Sequence, residues 1–239
     1  NYIYYDNSFI LTKSTPENDC FDVLIFARKD IEIAIIPSFI KQIGQYAFYS
    51  CQNLKQVEIS NDSELQIIDK KCFQYSSIES IMIPPKLIEI RDYAFSDCNK
   101  LIDVKIPNDS KLEKIGKNVF NSSKIEKIYI PTNISHIYEE TFYNCTDLTE
   151  VEIALNSKLQ IIERKAFSLT SINSICLPPS LIKINNKAVN DCDLEKIVIP
   201  TNSELHVIGT YSFSGTFIKS FVLPPHVIQI EEGAFSFCD

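Results

Sequence analysis

The chain has no tryptophan, a single methionine and only five glycines among 239 residues. It also lacks a surplus of positive charge: 23 basic residues face 31 acidic ones, for a formal net charge of −8. Such a balance repels a phosphate backbone and offers no basic surface for counterion release, so nucleic acid is not expected as a partner. A local run of Lys105, Lys111, Lys114, Lys117, Lys124 and Lys127 is interrupted by Asp109, Glu113 and Glu126 and reads as a solvated face. No apolar stretch approaches the roughly 18 residues needed to span a bilayer, so no membrane insertion is expected of this stretch. The chain begins at Asn1 without a charged-then-apolar leader and stops at Asp239 in mid-repeat, and it reads as a fragment.

Catalytic signatures are missing too. No Cys-x-x-Cys, HExxH, P-loop or nucleophile-elbow pattern occurs. The three histidines, His136, His206 and His226, fall in different slots of the repeat and are not expected to converge. The carboxylate pairs Glu139-Glu140 and Glu231-Glu232 are sequence neighbours in turns and read as solvated charge. No enzyme activity, cofactor or metal is therefore expected.

What is present is a period. Eleven prolines against five glycines imply that proline serves a fixed position. Aligned on hydrophobic-x-hydrophobic-Pro, the first hydrophobic slots fall at Ala34, Val57, Ile81, Val104, Ile128, Val151, Ile175, Ile197 and Phe221, in steps of 22 to 24 residues. Every second unit carries an extra turn residue, as in 61–64, 108–111 and 201–204. A phenylalanine recurs at Phe48, Phe73, Phe95, Phe120, Phe142, Phe167, Phe213 and Phe235, with Val189 as the one substitute. Such a column predicts one buried ring per coil. Pro37, Pro84, Pro107, Pro131, Pro178, Pro200 and Pro224 close the strand without costing an interior hydrogen bond.

The expected fold is a repeat solenoid of the leucine-rich type. It has about nine coils of 22–24 residues, built from short parallel β-strands, turns and single helical turns, the last around segments such as 139–145. The solenoid is assigned to residues 31–239. Residues 1–30 are assigned to an N-terminal cap or a degenerate first coil.

Three segments, "IPPKLIEIRDYAFSDCNKL" (83–101), "IPSFIKQIGQYAFYSCQNL" (36–54) and "LPPHVIQIEEGAFSFC" (223–238), resemble the BspA-like leucine-rich repeats of bacterial surface proteins and of protist surface antigens. The resemblance covers about residues 31–239. It implies a cell-surface or extracellular place, an adhesion or antigen role, and a host, matrix or self protein as partner.

Cys51, Cys98, Cys145, Cys192 and Cys238 lie 46 or 47 residues apart, one per second coil. Two coils at ~4.8 Å put them ~9.6 Å apart, past disulfide reach, so free thiols are expected. Ser76, Ser123, Thr170 and Thr216 fill that slot or an adjoining one elsewhere, which points to a small side chain bonding to the backbone. Unbridged thiols make a cytoplasmic interaction scaffold the alternative function class. The sequons at Asn61, Asn108, Asn121, Asn133 and Asn144 permit glycosylation in a secretory pathway.

Residues alternating with the buried strand hydrophobes should face outward on a concave sheet. One column runs Gln56, Ser80, Asp103, Lys127, Glu150, Ser174, Lys196, Ser220; the other runs Glu58, Met82, Lys105, Tyr129, Glu152, Cys176, Val198, Val222. Asp103, Lys127 and Glu150 are placed to compensate one another across coils. Met82, Lys105, Lys127, Tyr129, Glu152, Cys176, Val198 and Val222 are the expected partner-binding residues, all solvent-facing, with Tyr129 as anchor.

Overall fold

A computed structural model describes residues 2–220 and 222–238. The chain winds into a solenoid of about nine coils, in which the first eight coils each give a strand of three or four residues to one side and all nine give a two-residue strand to a second side. The first sheet orders Ile33–Ile36, Gln56–Ile59, Ser80–Met82, Asp103–Lys105, Lys127–Ile130 and Glu150–Ile153. Ser174–Cys176 and Lys196–Val198 form a further parallel pair. Alternation builds this side: Val57 and Ile59 turn inward while Gln56 and Glu58 turn out. Proline then ends the strand, as Pro37 does after Ile36 and Pro131 after Ile130. The ninth slot, Phe221, lies outside the described residues.

The second sheet was not foreseen. Its strands have two residues each, Gln42–Ile43, Ile67–Ile68, Glu89–Ile90 and Lys114–Ile115, then His136–Ile137 through Gln229–Ile230. The isoleucine of each pair is buried in the eight coils before the last. Two residues are too few to show a period of two, which is why the pattern concealed them.

A third ladder closes the coil. The phenylalanine N–H of each coil donates to a carbonyl of the next, as from Phe48 to Cys72 (2.9 Å), Phe73 to Ala94 (2.8 Å) and Phe120 to Thr141 (2.9 Å). On either side of it, two residues four apart take a left-handed φ of 53–68°, from Tyr46 and Ser50 to Gly233 and Phe237. Only Gly215 and Gly233 among them are glycines. Left-handed backbone costs roughly 1–2 kcal/mol for an L-residue. The offset is visible in the same residues, whose N–H groups bond the next coil, as from Ser50 to Gln74 (2.8 Å) and Asp97 to Asn121 (2.8 Å). These left-handed residues, Glu140 and Asn144 included, also break any helical turn. The helical turns expected at segments such as 139–145 are therefore absent, and no helix occurs among the described residues.

The phenylalanine rings stack in parallel. Centroids from Phe48 through Phe73, Phe95, Phe120 and Phe142 to Phe167 lie 4.8–5.6 Å apart with interplanar angles of 3–14°. Val189 interrupts the column, which resumes at Phe213 and Phe235. At the other end Phe9 meets Phe48 edge to face at 6.2 Å. Phe9 belongs to the segment ahead of the coils, where β1 (Tyr2–Tyr5), β2 (Phe9–Thr12) and β3 (Val23–Ala27) pair antiparallel in turn, and β3 then runs parallel to Gln42–Ile43. The loop between β2 and β3 closes on buried Asp22, which accepts the Ser14 N–H (2.9 Å) and hydroxyl (3.0 Å) and the Asn18 amide (2.7 Å).

All eight cysteines are free. The slot explains four of them. Cys98, Cys145, Cys192 and Cys238 each donate to the phenylalanine carbonyl one coil back, at 3.1, 3.0, 2.9 and 3.3 Å, beside the hydroxyls of Ser76, Ser123, Thr170 and Thr216. Cys51, in the first coil, lies near the Lys29 ammonium instead (3.7 Å).

Candidate binding face

The outer surface of the first sheet carries the candidate residues, and the register sets them side by side. Met82 pairs with Lys105, Tyr129 with Glu152 and Cys176 with Val198. Two isoleucines begin these columns one coil earlier than the sequence reading began them. Ile33 is opposite Gln56 and Ile35 opposite Glu58, and both are more than half exposed. The alternation around Ala34 held that signal.

Three hollows follow this face. One of about 680 Å3 includes Ile35, Glu58, Met82 and Lys105. A second of about 480 Å3 lies over Glu150, Glu152 and Cys176. A third, about 720 Å3, gathers Lys196, Phe217, Lys219 and Val222. Met82, Val198 and Val222 are exposed apolar side chains within this row, Val222 the most at 77%.

Three expectations need correction. Tyr129 is not free in solvent; it is half-buried and packs against the edge of the hydrophobic core. Asp103, Lys127 and Glu150 do not form one compensated triplet. Lys127 pairs with Glu150 (2.6 Å), whereas Asp103 turns along its own strand to Lys105 (3.2 Å). Two of the three histidines do approach each other, the rings of His206 and His226 lying 6.4 Å apart on adjacent coils, while His136 stacks on Tyr138.

The basic run is divided among partners. Lys114 holds Glu89 (2.9 Å), Lys117 holds Glu139 (3.3 Å) and Lys124 holds Asp147 (3.0 Å). The carboxylates read as solvated are likewise engaged: Glu139 and Glu140 share Arg164, and Glu231 accepts from Thr210. These pairs concentrate at the second sheet and the turns, where Arg91 also bridges Asp69 (3.2 Å) and Glu89 (2.9 Å). Burial raises the Glu89 carboxyl, but hydrogen bonds from Lys114 and Arg91 outweigh it and leave the group below its ordinary value. Charge on that side is spent between coils.

The repeat geometry and the residue pattern coincide with a known family model, the BspA type leucine-rich repeat region, which matches residues 22–149 and 147–239. The chain belongs to the BspA-type leucine-rich repeat family. Repeat proteins of this kind are typically protein-interaction modules on a non-enzymatic scaffold. Among solved structures, a leucine-rich repeat protein from Bacteroides ovatus is similar at TM-score 0.75 and 23% identity, over 96% of this chain and 59% of that one. One from Eubacterium ventriosum gives TM-score 0.53 and 19% identity, over 87% of this chain and 59% of that one. The T. pallidum leucine-rich repeat protein gives 0.51 and 20%, over 70% and 88%. At these identities the likeness is one of fold. The chain spans about three fifths of the length of the B. ovatus protein. No curated protein matches it. Among the described residues no helix is long and apolar enough to cross a membrane.

Proposed function

We propose that this chain is a non-enzymatic protein-binding module of the cell-surface adhesion or antigen type, and that it takes a host, matrix or self protein on the outer face of the first sheet. One observation carries the reading: exposed apolar side chains recur along this face, at Ile33, Ile35, Met82, Val198 and Val222, while ion pairs such as Arg91–Asp69, Lys114–Glu89 and Lys117–Glu139 link successive coils on the side of the second sheet. Aligned apolar exposure on a rigid repeat surface is the property a protein partner uses. Tyr129, half-anchored in the core, loses little freedom on binding and stands as the central contact, with Lys105, Lys127, Glu152 and Cys176 around it.

The test is capture of a partner from host and matrix extracts by the intact chain and by a variant in which Met82, Tyr129, Val198 and Val222 are alanine. A partner held by the first and lost by the second, at equal melting temperature, supports the face. Equal capture by both overturns it.

A second reading, an intracellular interaction scaffold using the same face, draws on the eight unpaired thiols, of which Cys20 and Cys176 are exposed. Protease digestion of intact cells separates the two. A surface protein is cut, and an intracellular one survives.

A further inference from the structure

We infer that the hollow over Ile35, Glu58 and Met82 is a seat for a lysine or arginine carried between aliphatic residues of the partner polypeptide. This deepens the reading above and rests on it.

The charge of the hollow is unbalanced. Among the described residues Glu58 accepts only from the Gln56 amide (3.3 Å), and Asp62 accepts only from the Ser60 hydroxyl. Neither carboxylate has a cation within salt-bridge reach among the described residues, although nearby acids do: Glu32 holds Lys55 at 2.8 Å and Glu64 holds Lys86 at 2.6 Å. Lys105, the one cation in the lining, is drawn to Asp103. Two carboxylates thus border the hollow uncompensated.

Its apolar part fits the same occupant. Ile35 is 66% exposed and Met82 48%, on strands two places apart with Glu58 on the strand between. The aliphatic stem of a lysine or arginine covers such side chains while its head reaches a carboxylate, and methionine adapts its shape to the stem. A charge-assisted bond to Glu58 or Asp62 then fixes the register. A volume of about 680 Å3 holds one such side chain with its aliphatic neighbours. Anionic partners meet repulsion here, reinforced by the chain's net charge of −8.

Met82 is the only methionine of the sequence, so a 13C-methyl methionine label places one reporter in the hollow, assigned by its loss in Met82→Leu. The probe is the peptide acetyl-Gly-Leu-Arg-Ile-Lys-Gly-amide, with acetyl-Gly-Leu-Glu-Ile-Asp-Gly-amide as its anionic counterpart. The cationic peptide should shift the Met82 methyl resonance saturably below about 5 mM, and the anionic one should leave it in place. The double variant Glu58→Gln, Asp62→Asn should weaken binding about fivefold or more, and Ile35→Ser should weaken it with melting temperature unchanged. Equal shifts from both peptides, unchanged affinity in the double variant, or no shift at all overturns the assignment. If the hollow variants keep full affinity for a captured partner while Tyr129 and Val198 variants lose it, the binding face stands and this seat falls.

Discussion

The Cys145 thiol donates to the Phe120 carbonyl oxygen one coil back, at 3.0 Å, with the Ser123 hydroxyl 3.5 Å from the sulfur. The cysteine slot is thus a backbone tie between coils and not half of a disulfide. Thiol titration of the denatured, unreduced protein should therefore find all eight cysteines. Two or more bridges would contradict the stacking.

The same burial sets a pH dependence. Desolvation raises the Cys98 and Cys145 thiols to about 12 and Cys192 to about 11, against an ordinary value of 9.0. A folded-state value above the unfolded one means that the unfolded chain loses its proton first. This contribution to stability is complete below about pH 9 and falls above it, up to about pH 12 for Cys98 and Cys145 and about pH 11 for Cys192, by on the order of 1 kcal/mol per pH unit for each thiol. Urea melts from pH 8 to 11 should show the decline, and it should be shallower in Cys145→Ser. An identical slope in that variant would mean the thiol titrates freely in the fold.

Phe120 stacks at 5.6 Å on Phe95 and at 5.5 Å on Phe142, fully buried. Phe120→Ala should cost about 3–5 kcal/mol, since neighbouring coils cannot close the gap without breaking three ladders. A loss below 1 kcal/mol in chemical unfolding would place the ring outside the core.

Leu169 offers a test of the left-handed slots. Its φ is +59° and its N–H bonds Asn190 at 3.2 Å, with the side chain partly exposed. Leu169→Ile keeps volume and hydrophobicity and would be neutral at ordinary φ. Here the β-branch should destabilise by about 1 kcal/mol or more, while Leu169→Gly should be neutral or stabilising. Reversal of that order in thermal melts would exclude a left-handed residue at 169.

The parts of this fold that repeat at long period were legible. The phenylalanine column, the strand alternation around Val57 or Ile128 and the cysteine slot each recur often enough to fix a role. What stayed hidden lacks a residue-type signature. The left-handed positions hold Tyr46, Lys71, Asn118 and Glu140 without preference for glycine, because hydrogen bonds to the next coil enforce the backbone there. The second sheet shows only a single buried isoleucine in each coil before the last. On the candidate face, which side chains alternate outward was readable, but the half-burial of Tyr129 and the choice of Lys105 by Asp103 depend on rotamers and neighbours beyond any one strand.

The central claim, that a protein partner sits on the first sheet, is tested most directly by affinity for a captured partner. Tyr129→Ala, Val198→Ser and Lys183→Ala are compared, the last at a half-buried position of the second sheet, with melting temperatures measured alongside. Tyr129→Ala should weaken binding by ~2 kcal/mol or more beyond any loss from its partial burial, Val198→Ser by less, and Lys183→Ala not measurably. Unchanged affinity in both first-sheet variants, with a loss in Lys183→Ala, would contradict the account and move the binding surface to the second sheet.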